Sequence, residues 1–399
     1  MRRRPLILLA LVLLVWSFFA RPIYDFAWIA GGRLYDRSIG KAGSPTLRMD
    51  QQEVVGRALD QGAEIDAYLR GLRRAPPEGP PPAPDYADAQ AFARSTDAMR
   101  ARLRESLRYP PPGFGMPSTE KVAERAIGED EFASYRELKI PVLPGVHATG
   151  LYLRPKNAKP DERLPLVVSA AGRGGMPGAG PDGKVDGMVK SQRDLVWEAI
   201  RRGYAVWVPT YIHYDKEGGE IRDKLTVRAW EAGTSLPAIE IAKTVKVLDT
   251  LLARPDIDPQ RVAMMGQSYG GFYTLYTTAL EPRIKVAAVA AYFNDREAVL
   301  DNSEPYGFLD WRYPDSLSLW RDPSVAALVA PRPLLIESGT QDQLFPIEGA
   351  RKTAPEVAQI YQRLGIPERF VFDDYVGRHD FDGKTAMDFI DRVLKPASN

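Results

Sequence analysis

Residues 264–272 read Met264-Met265-Gly266-Gln267-Ser268-Tyr269-Gly270-Gly271-Phe272, or MMGQSYGGF. One serine stands between glycines directly after an apolar run. The bare G-x-S-x-G pattern arises by chance in roughly one chain in ten of this composition, so its surroundings decide its meaning. Upstream, RVAMMG reads as a short buried strand; downstream, YGGFYTLYTTALE reads as a helix. A strand that turns straight into a helix must reverse sharply, and side chains beside the turn would collide. Glycines at 266 and 270 remove that collision. The turn lifts the Ser268 hydroxyl to the carboxyl edge of the sheet, at a helix amino terminus. There the Tyr269 N–H points to where an oxyanion would form. Ser268 is the expected nucleophile.

Outward from this turn, strands and helices alternate. ELKIPVL and HATGLYLRP alternate in polarity as a hairpin does. LPLVVSAAG, YAVWVPTY, KVAAVAAYF, RPLLIESG and ERFVFDDY are short apolar runs suited to buried parallel strands. SQRDLVWEAIRR, LPAIEIAKTVKVLDTLLAR, the stretch around APEVAQIYQRLG and KTAMDFIDRVL read as helices. This order predicts an α/β fold with a mostly parallel central sheet and helices on both faces.

A serine hydroxyl needs a base, and the base needs an orienting acid. Three histidines exist, and only His379, in YVGRHDF, follows the serine; it is the expected base. His147 lies in an early turn and reads as structural, as does His213, although the loop of His213 leaves the same sheet edge and His213 is a tentative substrate contact. The acid should end a strand between nucleophile and base. Asp342, in PLLIESGTQDQLFP, meets this, with Asp295 in YFNDRE as the runner-up. The second oxyanion donor is expected from AGRGGMPG, at the Arg173 N–H or else at Gly174. An insertion between residues 294 and 324 carries Tyr306, Phe308, Trp311, Tyr313 and Trp320. Its rings either cap the serine, with Trp311 and Tyr313 as tentative substrate contacts, or simply pack. GAGPDGKV, from Gly178 to Val185, nearly fits a phosphate loop, but Val185 stands where a magnesium-binding hydroxyl is needed and Pro181 removes a backbone donor.

The bulk composition agrees with an enzyme of this kind. Of 399 residues, 44% are hydrophobic, and 53 Lys+Arg balance 52 Asp+Glu, so no basic surplus invites nucleic acid. Without cysteine there is no thiolate nucleophile and no Cys-based metal site. No metal or cofactor is expected. The amino terminus, MRRRPLILLALVLLVWSFFARP, sets a basic cluster before an apolar run, the layout of an export signal or uncleaved anchor. Residues 1–22 are read as that leader, which would tether the chain to a membrane and place the rest on the extracytoplasmic side. Residues 23–115 are read as a helical, Pro-rich extension. Within it QQEVVGRALDQGAEIDAYLRGLRR and DAQAFARSTDAMRARLRESL are helices joined by a polyproline-like connector. Residues 116–396 are read as the catalytic domain.

With these residues in view, the chain from about residue 137 to 395 resembles the α/β-hydrolase superfamily. It is most similar to the dienelactone hydrolase, acetyl xylan esterase and prolyl-oligopeptidase-like group. The matching stretches are LARPDIDPQRVAMMGQSYGGF, APRPLLIESGTQDQLFP and GRHDF. The resemblance implies the same triad, Ser268, Asp342 and His379. The oxyanion loop departs from relatives that carry a His-Gly pair, and no β-propeller precedes the catalytic region, which weighs against a peptidase. The expected activity is hydrolysis of a small-molecule or glycan ester through an acyl-enzyme. A peptidase, and a membrane-tethered binding module without catalysis, are the alternatives.

Overall fold

The computed structural model describes residues 59–65, 67–69, 71, 83–159, 161–172, 190–212, 215–302, 311–314, 316–317 and 319–395. The proposed leader, the His213 turn and the AGRGG loop with its near-phosphate-loop motif lie outside these residues. The chain divides into two compact units, Met1–Arg70 and Gly71–Asn399. In the first, residues 59–65 and 67–69 are helical, with Leu59, Ile65, Tyr68 and Leu69 exposed.

The second unit is built on a nine-stranded sheet. Its strands are β1 (Ala123–Glu129), β2 (Ala133–Leu143), β3 (Val146–Pro155), β4 (Leu164–Ala170), β5 (Ala205–Pro209), β6 (Ile257–Gln267), β7 (Val286–Ala290), β8 (Leu334–Gly339) and β9 (Phe370–Tyr375). Their spatial order is β1-β2-β3-β5-β4-β6-β7-β8-β9. The first three pair antiparallel, β3 pairs antiparallel with β5, and from β5 to β9 every pairing is parallel.

Parallel strands are buried on both faces, which explains their unbroken apolar runs. Leu166, Val168, Val262, Met264, Leu334 and Ile336 point to one core, while Val167, Ala263, Met265 and Leu335 point to the other. This is the period-2 alternation of a strand with a helix layer on either side. The first face carries α5 (Leu236–Leu251), α6 (Tyr269–Leu280) and α9 (Ile347–Arg363); the second carries α3 (Lys190–Arg201) and α10 (Ala386–Leu394). Helix α4 (Asp215–Glu231), α7 (Arg296–Asn302) and α8 (Asp322–Ala327) fill the connections. Helix α4 has no counterpart in the sequence reading, because its glycines and charges hide the apolar period.

Two expectations need correction. DAQAFARSTDAMRARLRESL forms two helices, α1 (Ala89–Ser95) and α2 (Asp97–Leu107), separated at Thr96, whose hydroxyl bonds to the carbonyls of Phe92 and Ala93. These helices also do not belong to a separate extension ending at 115. Phe92, Leu103 and Leu107 are buried in the first core. The Trp320 indole N–H donates to Ser106 Oγ at 3.0 Å, Ser235 Oγ donates to the Leu107 carbonyl at 2.6 Å, and Arg100 donates to the Leu328 carbonyl at 2.9 Å. An amphipathic pattern shows that a helix has a partner but not which one, so the boundary at 115/116 was drawn from composition alone.

Candidate active site

Ser268 joins β6 to α6 with φ 54° and ψ −114°, a left-handed backbone that a non-glycine residue adopts only under strain. The packing explains the flanking glycines. A Cβ on Gly270 would lie 1.9 Å from the Ala170 carbonyl oxygen, at the end of β4. One on Gly266 would lie 2.4 Å from the Gly270 carbonyl oxygen. Strand β4 and the first turn of α6 thus touch backbone to backbone, and the turn is held by the Ser268 N–H donating to the Ala290 carbonyl at 2.9 Å. The Tyr269 N–H is the first of the helix.

Asp342 follows β8 and its side chain is only 1% exposed. Its Oδ1 accepts from the N–H groups of Leu344 (2.8 Å) and Phe345 (3.0 Å). Its Oδ2 faces His379 Nδ1 at 2.8 Å. The carboxylate is thus fixed by a turn of its own chain and presented to the imidazole, which leaves Nε2 as the ring atom available for a second partner. The Phe345 ring stacks on the His379 ring, 5.6 Å between centroids and 13° between planes.

The loop carrying His379 is bound to β8. Thr340 N–H donates to Tyr375 carbonyl at 2.9 Å, and Gln341 N–H donates to Gly377 carbonyl at 2.8 Å. A Cβ on Gly339 would meet the Arg378 carbonyl at 2.2 Å, so the loop passes directly over this glycine. The Gln267 side-chain amide donates to the His379 carbonyl at 2.7 Å, linking the loop to the residue before Ser268.

The runner-up acid is committed elsewhere. Asp295 Oδ2 accepts from Lys352 Nζ at 2.6 Å, and Oδ1 accepts from Glu297 N–H at 3.2 Å. His147 Nε2 pairs with Glu120 at 2.5 Å. Trp311 is 7% exposed and packs tilted or edge-on among Tyr269, Tyr292 and Phe345, with centroids 5.5–5.6 Å apart. It backs the His379 ring through Phe345. Tyr313 is deeper: its hydroxyl shares a 3.0 Å hydrogen bond with Tyr276, which accepts from Arg296 at 2.7 Å. These two aromatics form a packed wall behind the site. Arg173 and His213 lie outside the described residues. Gln267, Phe345 and Arg296 all fall inside stretches quoted above, but the sequence reading gives them no role, because the contacts that define them are tertiary. Among the described residues no group of three or more His, Asp or Glu side chains is arranged to hold a metal ion.

Such an arrangement can run nucleophilic acyl transfer: a half-buried strand-end serine, a histidine with one nitrogen engaged by a buried carboxylate, and a helix amino terminus for the oxyanion. The sheet order and this junction define an α/β-hydrolase fold. Comparison with known proteins agrees. The prolyl oligopeptidase family matches residues 234–361, which include Ser268 and Asp342. A Bacillus subtilis (strain 168) protein named "Putative hydrolase YtaP" is 27% identical over 225 residues, covering 55% of this chain and 74% of that protein. "Uncharacterized peptidase YuxL" from the same strain is 25% identical over 253 residues, but only 36% of its length is covered. Among solved structures, a "putative acetyl xylan esterase" from Bacteroides fragilis NCTC 9343 aligns with TM-score 0.60 at 18% identity, over 78% of this chain and 82% of that one. A glucuronoyl esterase from Solibacter usitatus aligns with TM-score 0.56 at 16% identity, over 79% and 98%. At these identities the structures speak to the fold alone. The family match and the hydrolase relative support a serine hydrolase. No helix among the described residues is long and apolar enough to cross a membrane.

Proposed function

We propose that this chain hydrolyses carboxylic esters with Ser268 as nucleophile, His379 as general base and Asp342 as orienting acid. Ser268 Oγ attacks the ester carbonyl as His379 Nε2 takes its proton. Tyr269 N–H and an N–H of the AGRGG loop, at Arg173 or Gly174, hold the oxyanion. His379 returns the proton to the leaving alcohol; water then repeats the sequence on the acyl-enzyme. Asp342 keeps the Nδ1–H tautomer and steadies the imidazolium. The observation that carries this reading is the 2.8 Å His379–Asp342 pair on a loop bonded to Gln267, one residue from a strained serine.

A small-molecule or glycan ester is the substrate class we favour, since two of the structures sharing this fold are named as a putative acetyl xylan esterase and a glucuronoyl esterase. The prolyl oligopeptidase match favours a second reading, a serine peptidase. Fluorophosphonate labelling of wild type and Ser268→Ala tests the nucleophile: labelling of both, or of neither, defeats it. Acetyl esters, longer acyl esters and prolyl amides then separate the two readings by kcat/KM. The basic-apolar leader places this activity outside the cytoplasm, at a membrane, a proposal that cell fractionation checks.

A further inference from the structure

Glu337 lies on β8, five residues before Asp342, and is 1% exposed. Its Oε2 accepts from the Gly383 N–H at 3.1 Å, and its Oε1 is buried without a hydrogen-bond partner among the described residues. Gly383 is the far limb of the loop that begins at His379 and ends at α10. On β9, Asp373 stands in register with Glu337, and Asp373 Oδ2 accepts from the Thr385 hydroxyl at 2.6 Å. Two neighbouring strand-end carboxyls therefore tether residues 383–385 from below.

We propose that Glu337 is a positioning residue for the His379 base, fastening its loop while protonated and loosening it on ionisation. This rests on the hydrolase reading above. The groups around Glu337 favour the neutral form. Asp373 on β9 and Asp382 on the loop itself are both acidic, and Tyr375 on β9 adds no positive charge; β7 contributes Ala290, which does not titrate. Burial pushes the Glu337 carboxyl up to about 7, and the two aspartates push the same way, against the pull of the Gly383 and Asp382 N–H groups. Once ionised, Glu337 is a buried charge beside Asp373 and repels the Asp382 carboxylate, which rides on the loop. Moving the loop outward relieves both, and it displaces His379 from its line with Asp342.

The test measures the rate of fluorophosphonate labelling against pH for wild type, Glu337→Gln and Ser268→Ala, with kcat and KM on the best ester. In wild type the rate falls by about fivefold or more above neutrality, in kcat rather than KM. Glu337→Gln lacks the fall. Identical profiles in both overturn the role of Glu337 while leaving the hydrolase reading standing. Absence of Ser268-dependent labelling overturns the hydrolase reading, and the positioning role with it. Should the glutamine variant not fold, amide exchange in wild type decides, after correction for intrinsic rates. Protection at residues 380–385 that drops between pH 6 and about 8 supports the role, and constant protection defeats it.

Discussion

Gln267 Nε2 donates to the backbone carbonyl of His379 at 2.7 Å, across a gap of 112 residues in sequence. The residue before the proposed nucleophile thus holds the main chain of the proposed base. Gln267→Leu keeps the volume and removes the donor. It should lower kcat by about tenfold with little change in KM, because misplacing a catalytic group costs rate more than binding. An unchanged kcat would show that the loop is set entirely by its contacts to β8.

The two aspartates that competed in the sequence should separate cleanly. Asp342→Asn leaves the shape but offers His379 the wrong partner, and kcat should fall by roughly 10³–10⁴. Asp295→Asn loses only a pairing with Lys352, a surface lysine, and should stay within about twofold of wild type. Steady-state rates on one ester decide both.

Gly270→Ala would drive a methyl group into the Ala170 carbonyl. Both partners are backbone, so neither can rotate aside, and the strand and helix must part. The expected result is destabilisation of about 3 kcal/mol or more together with loss of Ser268 labelling. Urea denaturation and labelling on the folded fraction report the two effects separately.

Helices α1 and α2 contribute Phe92, Leu103 and Leu107 to the central core. A chain beginning at Gly71 should therefore fold and melt cooperatively. A chain beginning at residue 116 would expose that apolar surface and should aggregate or bind a hydrophobic dye, since each large side chain uncovered forfeits roughly 1.5–3 kcal/mol.

Stability should peak in mildly acidic solution. Asp322 is pushed up to about 6 by burial, against the attraction of Arg296, and Glu337 to about 7. Both are raised, so the stability they contribute is complete below the ordinary carboxylate range near 4 and is lost as pH climbs through 6 and 7. Glu281 and Asp258 are lowered by their arginine and backbone partners despite burial, so their contribution fades on the acid side instead. Melting temperature should thus be highest near about pH 4–5 and decline until about pH 7. Glu337→Gln should flatten the upper part of that decline; a profile rising steadily to pH 8 would contradict the assignment.

Much of the fold was legible because buried parallel strands leave unbroken apolar runs, and the runs ending at Gly266, Gly339 and Tyr375 also place Ser268, Asp342 and His379. Asp342 ranks over Asp295 in the sequence on its strand and glycine turn; tertiary contact adds what the sequence does not carry, that Lys352 pairs with Asp295 and His379 with Asp342. For Trp311 the sequence leaves pocket contact and packing both open, because aromatics in an insertion carry no mark of which side they face. Glu337, inside RPLLIESG, carries no mark of its burial in the sequence, since that depends on a loop forty-six residues later.

Strand β8 carries the acid at its tip and, through Gly339, Thr340 and Gln341, the loop of the base, so these two groups travel as one body. Ser268 belongs to β6, and only β7, Val286-Ala-Ala-Val-Ala290, separates the two carriers. The lateral offset between the two carriers is therefore two hydrogen-bonded strand spacings of about 4.8 Å each, ruled by the backbone and not by side-chain bulk. A larger residue at an alanine of β7 would press on the helix layers above or below the sheet and leave that offset unaltered.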